Sequence, residues 1–154
     1  MKLWKKIALG TVGLLVLSQV VPVNRANPPV VSEPAMSSEV RAVLRDACYD
    51  CHSNETRWLW YSRVAPASWL IARDVRVGRA HLNFSEWDAM PEKKRVHRLK
   101  EIVSTVKSGE MPLWFYTPLH PEAVMSAEQK QVLVGWAEGM LAAPAPAPAP
   151  APAH

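Results

Sequence analysis

Cys48-Tyr49-Asp50-Cys51-His52 is the stretch on which the reading of this chain turns. Its two cysteines are the only ones present. A close pair of this kind suits a disulfide, a redox dithiol or a haem attachment site, and the residue that follows decides among them. Side chains at i and i+3 of a helical turn lie on one side, so Cys48 and Cys51 can meet the two vinyl groups along one porphyrin edge. His52, next in line, can swing its imidazole under the iron. A thioredoxin-like dithiol needs a βαβ setting, and a structural zinc site needs a fourth ligand; neither accompanies the pentapeptide. The sequence therefore predicts one covalently attached haem c, with His52 as proximal ligand to the iron.

The neighbouring segments read as helices. Ser37 or Ser38 caps a run in which Val40, Val43, Leu44 and Ala47 recur at helical spacing and lead directly into Cys48. A second helix is expected from Ser68 to about Gly78, with Ile71, Ala72 and Val75 on one face and the glycine as its stop. A third starts at Ser85 or Pro91, carries Val96, Leu99, Ile102, Val103 and Val106 on one stripe, and halts at Gly109. The fourth opens on the capping box Ser126-Ala127-Glu128-Gln129 and turns Val132, Leu133, Trp136, Ala137 and Met140 inward. No stretch alternates as a strand does, so the fold class is all-α, with loops over residues 53–67 and 110–125.

Both ends differ from this body. Lys2, Lys5 and Lys6 precede an uncharged run over residues 7–23, a membrane-targeting pattern. Its length sits at the lower limit of about 17 residues for a spanning helix. No small-x-small cleavage pattern stands out near Pro22, which favours a retained anchor in the inner membrane over a removed signal peptide. Either way the basic end stays in the cytoplasm and the remainder lies on the periplasmic side. Asn27-Pro28-Pro29 and Pro34 make residues 24–36 a linker, and the Ala-Pro repeats of 142–154 read as a disordered, extended tail. The domain proper is residues 37–141.

The net charge of +4 does not point to nucleic acid. From Glu33 onward 14 basic residues balance 14 acidic ones, and the excess is Lys2, Lys5, Lys6 and Arg25. No phosphate-backbone partner follows from that distribution.

Two Met-Pro pairs compete for the distal side of the iron. Met90-Pro91 lies where a helix is about to start, whereas Met111-Pro112 sits in a loop that can bring a thioether over the haem, so Met111 is the expected second metal ligand. His81 and His120, read as loop residues, are alternatives; His97 falls opposite its helix's apolar stripe and is expected to be exposed. Of seven tryptophans, Trp58 and Trp60 follow the attachment site closely enough to pack on the haem edge. Their N–H groups, with Arg57 or Arg63, are candidate donors to the propionates.

Three segments together, 48–66 around the pentapeptide, His81-Leu-Asn-Phe-Ser-Glu-Trp87, and Gly109-Glu-Met-Pro-Leu-Trp-Phe-Tyr-Thr-Pro-Leu-His-Pro121, resemble the bacterial haem-binding domain family of small cytochrome c-like proteins. Leu59 stands where that family is expected to carry proline. The resemblance covers most of residues 25–140 and implies a single c-type haem, an N-terminal membrane signal and a cytochrome c-like helical body, and it supports Met111 as distal ligand. The expected role is that of a one-electron carrier, not an enzyme, with redox partner proteins on the periplasmic face, and with the first and last helices packed together. The alternative is a haem sensor or peroxidase-like enzyme with an open or displaceable distal position.

Overall fold

The computed structural model describes residues 2–143; the Ala-Pro repeats of the expected tail lie outside them. The described residues hold six α-helices and, in place of strands, one isolated parallel bridge between Ser32 and Glu86. The chain divides into two units, Met1–Ala35 with Arg45–Met90, and Met36–Leu44 with Pro91–His154.

Helix α1 (Leu3–Ser18) is 16 residues long and buries none of its side chains. At about 1.5 Å per residue it falls short of the roughly 30 Å apolar thickness of a bilayer, and no helix among the described residues is long and apolar enough to cross a membrane. The uncharged run extends to Val23, but its last turns are not helical.

Residues 24–36 avoid regular structure, as their prolines require, yet they are no free spacer. They form a strap on the first unit. Val31 and Ser32 donate main-chain N–H groups to Ser85 O at 2.9 and 3.2 Å, Trp87 N–H returns to Ser32 O at 3.3 Å, and Asn54 Nδ2 donates to Pro29 O at 2.9 Å. An extended segment without internal hydrogen bonds presents its polar groups to whatever lies beside it. Residues 24–35 belong to the same unit as the attachment motif.

Helix α2 (Ser38–Ala47) opens with Ser37 Oγ accepting Val40 N–H at 3.2 Å, and buries Val40, Val43 and Leu44. It stops one residue before the motif: Cys48 takes φ −130°, ψ −37°, and the short helix α3 (Tyr49–His52) starts afresh. Helix α4 (Ala67–His81) packs on α3 and continues three residues beyond the expected stop at Gly78. The core of this unit is a ladder of near-parallel rings, Tyr49 on Phe84 and Phe84 on Trp87, with centroids 5.6 and 6.3 Å apart. Val75, Leu82 and Met90 are buried in the same unit.

In the second unit, helix α5 (Glu92–Ser108) buries Leu99, Ile102 and Val106 and ends on Gly109 at φ +77°, a left-handed conformation that glycine adopts without steric cost. Helix α6 (Ala127–Ala142) begins on the predicted capping box, with Ser126 and Gln129 satisfying each other's main chain, and buries Leu133, Val134 and Ala137. Met36–Leu44, which carry most of α2, belong to the same unit, and α6 packs on α5. The two carry matching apolar stripes, and Lys107 pairs with Glu138 across them at 2.8 Å.

Candidate haem site

Cys48, Cys51 and His52 share one turn. Cys48 O accepts the N–H groups of Cys51 and His52 at 3.2 and 2.9 Å, so the residues follow one another around a single helical end. Both cysteines are half-buried and unpaired. Burial pushes both thiols up to about 12, helped for Cys48 by the repulsion it would feel from a second thiolate at Cys51, and for Cys51 by Asp50 and Asp74 against Arg79, so at neutral pH they stay protonated.

His52 is locked by main chain. Its Nδ1 lies 3.1 Å from Gly78 O and 3.1 Å from Leu82 O. Carbonyl oxygens only accept, so Nδ1 must carry the proton and the lone pair stays on Nε2, which has no hydrogen-bond partner among the described residues. A metal-binding histidine needs this arrangement: one nitrogen oriented by the protein, the other available. Burial lowers the proton affinity of His52 below its ordinary 6.5, against the two carbonyls, which raise it. A folded value below the unfolded one means that the unfolded chain takes up the proton first. Haem-free protein is therefore expected to melt at progressively lower temperature as pH falls from 7 towards 5, and a His52→Gln variant to show a smaller loss, both read by thermal denaturation.

Gly78 is what lets α4 come so close. A Cβ built there would stand 2.4 Å from Cys51 O and 3.0 Å from Cys51 C. The glycine is thus a contact point within the helix and not its end. A mid-helix glycine in an otherwise sound helical pattern is the signal that would have flagged it.

The remaining predicted residues fall into place unevenly. Arg57 is engaged by Asp50, with Nε 3.1 and 3.2 Å from the two carboxylate oxygens and Nη2 at 3.0 Å, while Asp50 Oδ1 also takes Arg57 N–H at 2.8 Å. The arginine foreseen for a propionate thus braces a buried residue inside the attachment motif. Trp58 is half-buried and donates Nε1–H to Asn27 Oδ1 of the strap at 3.1 Å. Trp60 is 76% exposed and meets only Tyr61 edge-on among the ring contacts. His81 is the exposed last residue of α4 and no loop residue. His120 is buried, stacked on Tyr116 with centroids 3.8 Å apart and 3.3 Å from Glu122. His97 is exposed as expected. Met90 is buried in the first unit, and Met111 is half-buried in the second, where its N–H donates to Thr105 O at 3.2 Å.

Zinc finds no support in this geometry: among the described residues no group of three His, Cys, Asp or Glu side chains converges to hold a metal ion. What the turn offers is a single oriented imidazole and two protonated thiols, a donor set that suits an iron porphyrin held by its edge and by one axial ligand. A family model described as a haem-binding domain matches residues 13–139. No curated protein and no solved structure matches the chain.

Proposed function

The chain belongs to the haem-binding domain family, and from that premise we propose that it holds one haem c covalently and serves as a one-electron carrier on the periplasmic side of a bacterial-type inner membrane. The observation that carries this reading is the turn of two unpaired cysteines whose neighbouring histidine has its Nδ1 committed to two carbonyls. Cys48 and Cys51 would hold the porphyrin edge as thioethers, each thiol adding across one vinyl group with its hydrogen going to the other carbon and nothing leaving. His52 Nε2 is the proximal donor. Bound there, iron supplies a reversible one-electron couple.

The other assignments rest on sequence. Met111, in Gly109-Glu110-Met111-Pro112, is the proposed distal ligand, a thioether that raises the potential relative to a second histidine. Export follows from Lys2, Lys5 and Lys6 ahead of the apolar helix α1, and with it the oxidising compartment in which partner redox proteins are met.

The reading is tested by absorption spectroscopy of protein matured in the periplasm. Ferric wild type should show the weak far-red band of methionine sulfur on haem iron, and Met111→Ala should abolish it. Ferrous wild type should bind carbon monoxide slowly and incompletely at neutral pH; rapid, complete binding would instead support a sensor or a peroxidase-like enzyme.

A further inference from the structure

Arg79 makes no hydrogen bond to Cys48, Cys51 or His52, yet it clasps the chain on both sides of them. Nε donates to Ser53 O, the residue after His52, at 2.7 Å. Nη1 donates to Ala26 O at 2.9 Å, and Nη2 to Asn27 Oδ1 at 2.8 Å and Thr56 Oγ1 at 2.9 Å. One half-buried side chain thereby joins α4, the strap and the segment that follows the attachment turn. It also stands next to Gly78, the residue that touches Cys51 and accepts from His52.

All four acceptors are neutral, and among the described residues no carboxylate pairs with Arg79. Nothing in the clasp therefore cancels its charge. Partial burial makes that charge costly, lowering the guanidinium's proton affinity despite the raising influence of Glu86. A clasp needs donors, and a neutral amide supplies some of them; a full charge held here by neutral groups invites an electrostatic explanation. Ferric iron carries one more positive charge than ferrous iron, so a fixed cation nearby favours the reduced state, and less solvent screens it than at the surface.

We propose that Arg79 is a positioning residue that also sets the potential of the site, its clamped positive charge beside the Cys51-His52 segment raising the midpoint potential of the haem iron. This rests on the haem reading above. The test is a spectroelectrochemical titration of full-length, haem-loaded wild type, Arg79→Gln, Arg79→Lys and Asn27→Ala, with thermal melting of each as a structural control. At the wild-type midpoint, Arg79→Gln should lower the ferrous-to-ferric ratio by roughly threefold to tenfold, the size expected of a partly buried unit charge. Arg79→Lys keeps the charge, and Asn27→Ala leaves it in place while removing an acceptor of Arg79 and Trp58 and a donor to Thr56 O, so both should melt earlier yet keep the wild-type ratio. An unchanged ratio in Arg79→Gln overturns the proposal, as does an equal fall in Arg79→Lys or Asn27→Ala, which would make the clasp merely structural. If Arg79→Gln does not load haem, Arg79→Met, which removes the same charge from a side chain of similar length, is read in its place against the same criterion. Wild type that retains no haem on denaturation defeats the underlying reading and not this one.

Discussion

Gly78→Ala should destabilise the protein more than any other single-methyl addition to α4, and should do so by pushing the attachment turn off that helix. The added carbon would sit 2.4 Å from Cys51 O and 3.1 Å from Cys51 Cβ, and the first obstacle is main chain, which no rotamer change relieves. Alanine ordinarily favours a helix over glycine by about 1 kcal/mol, so propensity alone predicts the opposite sign. Overpacking against backbone costs about 1–3 kcal/mol or more and outweighs that gain. A domain of this size shifts its Tm by about 4–8 °C per kcal/mol, so a fall of several degrees is expected in thermal denaturation. The same displacement pulls Gly78 O from His52 Nδ1, so the variant should also yield less haem-loaded protein. A melting temperature equal to or above that of wild type would show that α3 and α4 do not meet as described.

His52→Ala should separate attachment from ligation. The cysteines are untouched, so haem should remain on the polypeptide after denaturation. The iron loses its proximal nitrogen, and the absorption bands of a six-coordinate, low-spin haem should disappear. Added imidazole should restore them, because the alanine leaves room where the ring stood. The fold pays a smaller cost. Both carbonyls lose the histidine donor, but Gly78 O keeps the N–H of Leu82 at 2.8 Å, so only Leu82 O is left without one, a loss on the order of 1–3 kcal/mol if water does not replace it. An unchanged spectrum would mean that another residue ligates the iron.

Features written in adjacent residues were legible in the sequence. The pentapeptide, the capping box at Ser126 and the left-handed Gly109 are local devices, and the stripe of Leu99, Ile102 and Val106 marks its own buried face. Tertiary choices were not. Gly78 read as a stop because a glycine near a helix end commonly is one; its use as a contact point depends on Cys51, far away along the chain. The strap was read as a spacer because its prolines exclude helix, while its docking through Asn27, Ser32 and main-chain carbonyls follows no periodicity. Arg57 and Arg63 are propionate candidates by proximity alone; the pairing of Arg57 with Asp50, inside the motif itself, follows no periodicity. Arg79 gave no sign at all, since its four partners come from two stretches of sequence far from it, Ala26-Asn27 and Ser53 to Thr56. Helix faces alone also do not say which apolar stripe meets which, so the packing of α6 on α5 is not written in either stripe.

The central claim is that Cys48 and Cys51 carry haem through covalent bonds. Intact-mass spectrometry of protein matured in the periplasm, denatured, washed with acid acetone and treated with a thiol-alkylating reagent, tests it most directly. A polypeptide heavier by one haem, with no thiol left to alkylate, is expected. A bare polypeptide carrying two alkylated cysteines would contradict it.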